Sequence, residues 1–287
     1  MFGEGYGSVV DVGPWDNGSG ECEMSSRAGP RRVGLLIAAA LAALVALWGA
    51  GGLQPAGAAT APTLIDRALA AGVYQINQTW SACETPGGML YVGNHAKGSV
   101  LYSSNGAGLY TRITTNAWPT VSPKVAPDRH DCAWADVDHN GLLDMANSTG
   151  RNLSNFVKPA WRDGELWLQT SFGQFTDVGT NVGIADPCGR GRREAFFDVN
   201  KDGWADLFVG NEIGRPVTDP CDDPANGYPS ENPKLYLNRG ADAVTGKWLG
   251  FRLAQDFGVD DPGQHCAESI DANGDTWPDL LACRLGN

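Results

Sequence analysis

A nine-residue acidic loop recurs three times in this chain and limits what the rest can be. It reads DVDHNGLLD at 136–144, DVNKDGWAD at 198–206 and DANGDTWPD at 271–279. Oxygen-bearing side chains stand at positions one, three, five and nine of each loop. They are Asp136, Asp138, Asn140 and Asp144; Asp198, Asn200, Asp202 and Asp206; Asp271, Asn273, Asp275 and Asp279. Alternate residues of a tight loop turn their side chains inward. Position seven (Leu142, Trp204, Trp277) adds a backbone carbonyl, which suits a hard cation seeking six or more oxygens. Carboxylates held so close repel one another unless neutralised. The pattern predicts three Ca²⁺ sites; the competing explanation is three Asx-rich turns closing hairpins.

The flanks decide between calcium motifs. An EF-hand needs an acid at position twelve and a helix on either side. Position twelve here is Asn147, Val209 or Ala282. The segments around the second loop, EAFF before it and LFVGN after it, are short, aromatic and β-branched, as buried strands are. Each loop is therefore expected to turn a β-hairpin, with the ion stapling its two strands.

Composition fits an acidic, turn-rich, all-β chain. The net charge is −12, and 38 Gly with 17 Pro supply the turns of many short strands. That charge argues against nucleic acid, whose phosphates it would repel. Three bound Ca²⁺ would neutralise six of the negative charges, so the acidity needs no further explanation.

Residues 1–58 read as a leader. Arg27, Arg31 and Arg32 precede an apolar run at 33–48, and Ala56-Gly57-Ala58 follows: a basic region, an apolar core and a small-residue cleavage site. The first 23 residues carry five acids and no base, so Met24 is the more natural start. Cleaved signal or uncleaved anchor, the charge order places residues 59–287 outside the cytoplasm, with membrane contact only through the N-terminal segment. Beyond the leader stand Cys83, Cys132, Cys188, Cys221, Cys266 and Cys283, an even set suited to export and disulfides. Cys266 with Cys283, Cys188 with Cys221 and Cys83 with Cys132 are the expected pairs, the last linking neighbouring repeats.

The loops are spaced by 62 and 73 residues, a range that marks repeats. Around them runs a second signature: VLYSSNGAGLYTRI at 100–113, ELWLQTSFGQFTDV at 165–178 and KLYLNRG at 234–240. Each pairs a Leu-aromatic strand with a tight turn. Two hairpins make four antiparallel strands, and such sheets repeated about an axis are propeller blades. The segment FTDVGTNVGIADPCGRGRREAFFDVNKDGWADLFVGNE at 175–212, continued by NPKLYLNRG, resembles the FG-GAP (VCBS) repeats of integrin-α-type β-propellers, particularly those of the cartilage acidic protein kind. The resemblance covers about residues 75–287. It implies a Ca²⁺-braced β-propeller used outside the cell for adhesion or ligand binding, and assigns cation ligation to the twelve Asp and Asn residues above. The chain provides for about three blades and the start of a fourth, so an incomplete ring and a longer reading frame are expected.

Two departures stand out. Aligning LYVGN at 90–94 with LFVGN at 207–211 puts Ser81, Cys83, Thr85 and Met89 at the ligand positions, so the first repeat should bind no ion. In the third loop Thr276 replaces the position-six Gly of Gly141 and Gly203, a strained choice if that turn needs positive φ.

Enzymatic signatures are absent: the sequence holds no HExxH, no nucleophile elbow and no phosphate loop. His95, His130, His139 and His265 are scattered, and His139 is expected to point outward. Trp204 and Trp277 are expected to cover their hairpins, with sugar stacking as the alternative. Asn77, Asn147 and Asn152 head N-glycosylation sequons. The functional expectation is a secreted or surface binding scaffold for a protein or glycan ligand. The alternatives are the propeller part of an extracellular hydrolase or lyase, which would need spare acids such as Asp177, Asp186, Asp222, Asp223, Asp260 and Asp261, and a structural spacer in a longer polypeptide.

Overall fold

The computed structural model describes residues 9–12, 66–75, 79–94, 98–117, 128–150, 164–186, 189–212, 232–254, 258 and 264–284. Regular structure there is β, apart from one helical turn at Ala68–Ala71 and a 3₁₀ turn at Gly179–Asn181. The strands are β1 Val9–Val12, β2 Thr79–Glu84, β3 Met89–Asn94, β4 Val100–Ser104, β5 Tyr110–Arg112, β6 Asp128–Ala135, β7 Asp144–Gly150, β8 Glu165–Ser171, β9 Gln174–Asp177, β10 Gly191–Phe197, β11 Asp206–Asn211, β12 Lys234–Asn238, β13 Phe251–Leu253, β14 Gln264–Ile270 and β15 Asp279–Arg284.

Three sheets have four strands in chain order, β2-β3-β4-β5, β6-β7-β8-β9 and β10-β11-β12-β13, each an antiparallel meander. The fourth is β14-β15 antiparallel, with β1 on the outer edge. β1 runs parallel to β15, Val9 opposite Leu280 through Val12 opposite Cys283. This strand lies within the segment read from sequence as leader. The apolar run at 33–48 lies outside the described residues, among which no helix is long and apolar enough to cross a membrane.

Period-two alternation distributes side chains to both faces of the inner sheets, and each face finds the next sheet. Met145 and Trp167 point from the second sheet toward Tyr91 and Leu101 of the first. Their neighbours Ala146 and Leu166 point the other way, onto Leu207 and Tyr236 of the third sheet. Phe208 and Leu235 then pack on Leu280 and Ala282 of the fourth. Four consecutive sheets thus stack face to face, with a separate apolar layer in each gap. Their first strands lie side by side, β2 by β6, β6 by β10, and β10 by β14.

Polar bonds also cross these gaps. Arg193 pairs with Asp131 at 3.1 Å, and the Glu194 N–H donates to the other Asp131 oxygen at 2.7 Å. Cys83 and Cys132 form a disulfide that ties β2 to β6, with Cα atoms 6.1 Å apart. That is the link between neighbouring repeats expected from sequence. Cys266 and Cys283 stand directly opposite in the β14–β15 register, though their side chains, like Cys188 and Cys221, lie outside the described residues.

Candidate metal centres

Each acidic loop joins the first strand of a sheet to its second, and position nine is the first residue of that second strand: Asp144, Asp206 and Asp279. The three loops share one hydrogen-bond network. Position one accepts loop amides at both of its oxygens: Asp136 from Asn140 and Gly141 (3.0 and 2.9 Å), Asp198 from Asp202 and Gly203 (3.0 and 2.8 Å), and Asp271 from Gly274, Asp275 and Thr276 (2.7, 3.1 and 3.0 Å). Position three (Asp138, Asn200, Asn273) accepts the position-five amide at 3.1, 3.0 and 2.8 Å. Position five (Asn140, Asp202, Asp275) accepts the amide of Leu142, Trp204 or Trp277 at 2.7, 2.9 and 2.8 Å.

Position nine reaches back across the loop mouth to the position-two amide, that of Val137, Val199 or Ala272, at 3.0, 3.0 and 2.9 Å. In the second and third sheets it also collects an amide from the third strand, Gln169 to Asp144 and Asn238 to Asp206, both at 2.8 Å. The side chains of Val137 and Val199 go into the apolar gaps on either side of the third sheet. An apolar residue at position two therefore anchors the loop to the core, while its amide anchors position nine.

These amide bonds occupy one lone pair of most of the oxygens, and two at Asp271 Oδ1, which accepts from both Gly274 and Asp275. The remaining lone pairs form an all-oxygen donor set. In the first loop Asp136, Asp138 and Asp144 bring carboxylate oxygens within 4.8 Å of one another. Oxygens across a Ca²⁺ ion, each at 2.3–2.6 Å, lie about 5 Å apart, so spacing and donor chemistry fit that ion. The second and third loops have Asn at position three and Asp at position five, whose carboxylate is turned to the position-seven amide.

Asp144 and Asp206 are wholly buried. Burial raises their carboxyls to about 7, and the neighbouring loop carboxylates push the same way, against the amides that favour the charged form. The sign of the pH effect follows. Folded acids with a raised pKa hold protons that the unfolded chain releases from about pH 4. In chelator, stability should therefore fall as pH rises from about 4 through 7. Saturating Ca²⁺ should flatten that slope by favouring the ionised form, and chelator melting curves at pH 5 and pH 8 check it.

Positions four and six hold positive φ. These are His139 and Gly141 (57° and 87°), Lys201 and Gly203 (58° and 88°), and Gly274 and Thr276 (78° and 70°). The third loop carries its glycine at position four and leaves a β-branched residue at position six, as feared from sequence. Thr276→Gly should relieve about 1 kcal/mol of backbone strain. The melting temperature should rise by about 2–4 °C by calorimetry.

The first hairpin corrects the sequence alignment. Its register pairs Cys83 with Tyr91, as Ala195 pairs with Phe208, so Ser81 and Cys83 lie in the strand itself. The nine-residue loop is replaced by a tight turn at Thr85, Pro86, Gly87 and Gly88. There the Met89 amide donates to the Thr85 hydroxyl at 3.0 Å, and Gly88 holds φ 79°. The connection is shorter than in the second acidic hairpin, eight positions from Cys83 to Tyr91 against thirteen from Ala195 to Phe208, a difference that ungapped alignment cannot show.

His139 is exposed, as expected, and its ring also stacks on Trp204 of the next loop. Trp204 also lies against the backbone at Gly240, where an added Cβ would come within 2.9 Å of Nε1. Asn147, head of one sequon, is wholly buried and donates to the Asp131 carbonyl. Asp186 accepts from Lys234 and Asn211, and Asp177 from the Gly179 amide. Asn77, Asn152, Asp222, Asp223, Asp260 and Asp261 lie outside the described residues. Comparison with protein-family models finds no match for this chain, and comparison with curated proteins finds none.

Proposed function

We propose that this chain is a Ca²⁺-braced β-propeller segment of the FG-GAP type, acting outside the cytoplasm as a binding or adhesion scaffold for a protein or glycan ligand. The observation that carries it is the threefold recurrence of one loop network, ending each time on a buried position-nine Asp. Polar turns do not need a carboxylate buried at their base; an ion that must be held on the core does. Consecutive four-stranded sheets stacked on their faces, first strands adjacent, support the blade reading.

In this reading Asp136, Asp138, Asn140 and Asp144, with their counterparts in the other loops, hold the ion, and the carbonyls of Leu142, Trp204 and Trp277 complete the cage. Bound Ca²⁺ supplies positive charge and a rigid oxygen-bridged staple. Calorimetric titration of the apo-protein tests it. The expected result is three ions per chain with affinities on the order of 10⁻⁴ M, and Mg²⁺ a poor substitute because it keeps its water. No heat on titration would reduce the loops to polar turns. A glycan array and pull-down with the full-length protein address the ligand.

A further inference from the structure

Consecutive acidic loops touch, and both contacts include the same two positions. Position four of one loop rests on position seven of the next. The His139 ring lies parallel to the Trp204 indole, with centroids 3.7 Å and planes 10° apart. Lys201 Nζ sits 4.1 Å from the Trp277 ring centroid and donates to Thr276 Oγ1 at 3.0 Å.

Both position-four residues hold positive φ, which disfavours any side chain, and both are exposed. Among the described residues no acidic loop follows the third, and its position four is Gly274. None precedes the first, where the hairpin closes in a tight turn, and its position seven is Leu142 instead of Trp. In both contacts a strained side chain at position four meets a ring at position seven.

We infer that the three loops are coupled in series, so that ordering one by a cation raises its neighbour's affinity for the next. This rests on the cation reading above. An ion drawing positions three and five together clamps position four between them. Position four then holds the neighbour's position-seven residue, whose carbonyl belongs to the neighbour's cage. A single exposed stacking or cation–π contact of this kind corresponds to roughly threefold coupling in affinity.

Titration of the full-length apo-protein with Tb³⁺ tests it, read by luminescence that Trp204 and Trp277 sensitise. The wild type should take up three ions with a Hill coefficient above one. The double variant His139→Gly with Lys201→Gly suits the left-handed backbone, so it should fold, still bind three ions, show a Hill coefficient of one and require several-fold more Tb³⁺. A wild type whose sites fill independently overturns the coupling and leaves the cation reading standing; a wild type that takes up no Tb³⁺ overturns both. A cation-free readout is hydrogen exchange in chelator. His139→Gly alone should speed exchange of the Gly203 and Trp204 amides in the next loop, and unchanged rates there overturn the coupling.

Discussion

Removing Ca²⁺ should lower stability by about 4 kcal/mol. Each site contributes roughly 1.4 kcal/mol when free ion stands at ten times its dissociation constant, and the proposed reading has three sites. For a chain of this size that is a fall of roughly 10 °C in melting temperature, readable by calorimetry with and without chelator. Asp206→Ala should cost more than a third of that loss. The Asp206 carboxylate is wholly buried and accepts the Val199 and Asn238 amides at 3.0 and 2.8 Å. Truncation strands both donors at about 1–3 kcal/mol each, in addition to the lost ion. The excess should persist in chelator, because it belongs to the amides. If Asp206→Ala and wild type melt together in chelator, position nine is not the structural hinge of the loop. If chelator leaves the wild-type curve unmoved, the ion is not a staple.

Loss of the Cys83–Cys132 disulfide should have an effect of similar size. The bond closes a span of 49 residues. Loop-closure entropy for such a span amounts to about 4 kcal/mol, within the range usual for removal of a native disulfide. It also joins the first strands of two stacked sheets beside an apolar layer containing Tyr91, Leu101 and Met145. Cys83→Ala with Cys132→Ala should therefore melt roughly 10 °C below wild type, and unfold its first sheet ahead of the rest. Hydrogen exchange at β3 and β4 separates that outcome from uniform destabilisation. An unchanged melting curve would show that apolar packing alone holds the two sheets.

Much of the architecture could be read in the chain because it lies in local patterns. Asp, Asn and Gly at fixed spacing determine a loop whose bonds are nearly all internal to nine residues, so its three copies fold alike wherever they stand. Alternating apolar residues beside the loops determined the strands, and LFVGN with KLYLN determined their antiparallel neighbours. Other features depended on residues far apart. The first hairpin has a shorter connection, and only the pairing of Cys83 with Tyr91 reveals it, because strand register is set by facing partners and not by sequence distance.

Contacts between sheets were the least legible. Nothing in the sequence around His139 or Trp204 says that two residues 65 positions apart share a stack; the packing of β6 beside β10 puts them there. The burial of Asn147, which closes a sequon, follows likewise from neighbours on both faces of its sheet. What the sequence by itself determined is the set of short-range units: three oxygen-lined loops, their hairpins, and a pair of cysteines able to join two of them. What only the tertiary structure decided is how the units meet: which face packs on which, and which loop touches which. Those contacts depend on the geometry of stacked sheets, in which residues distant in the chain become neighbours.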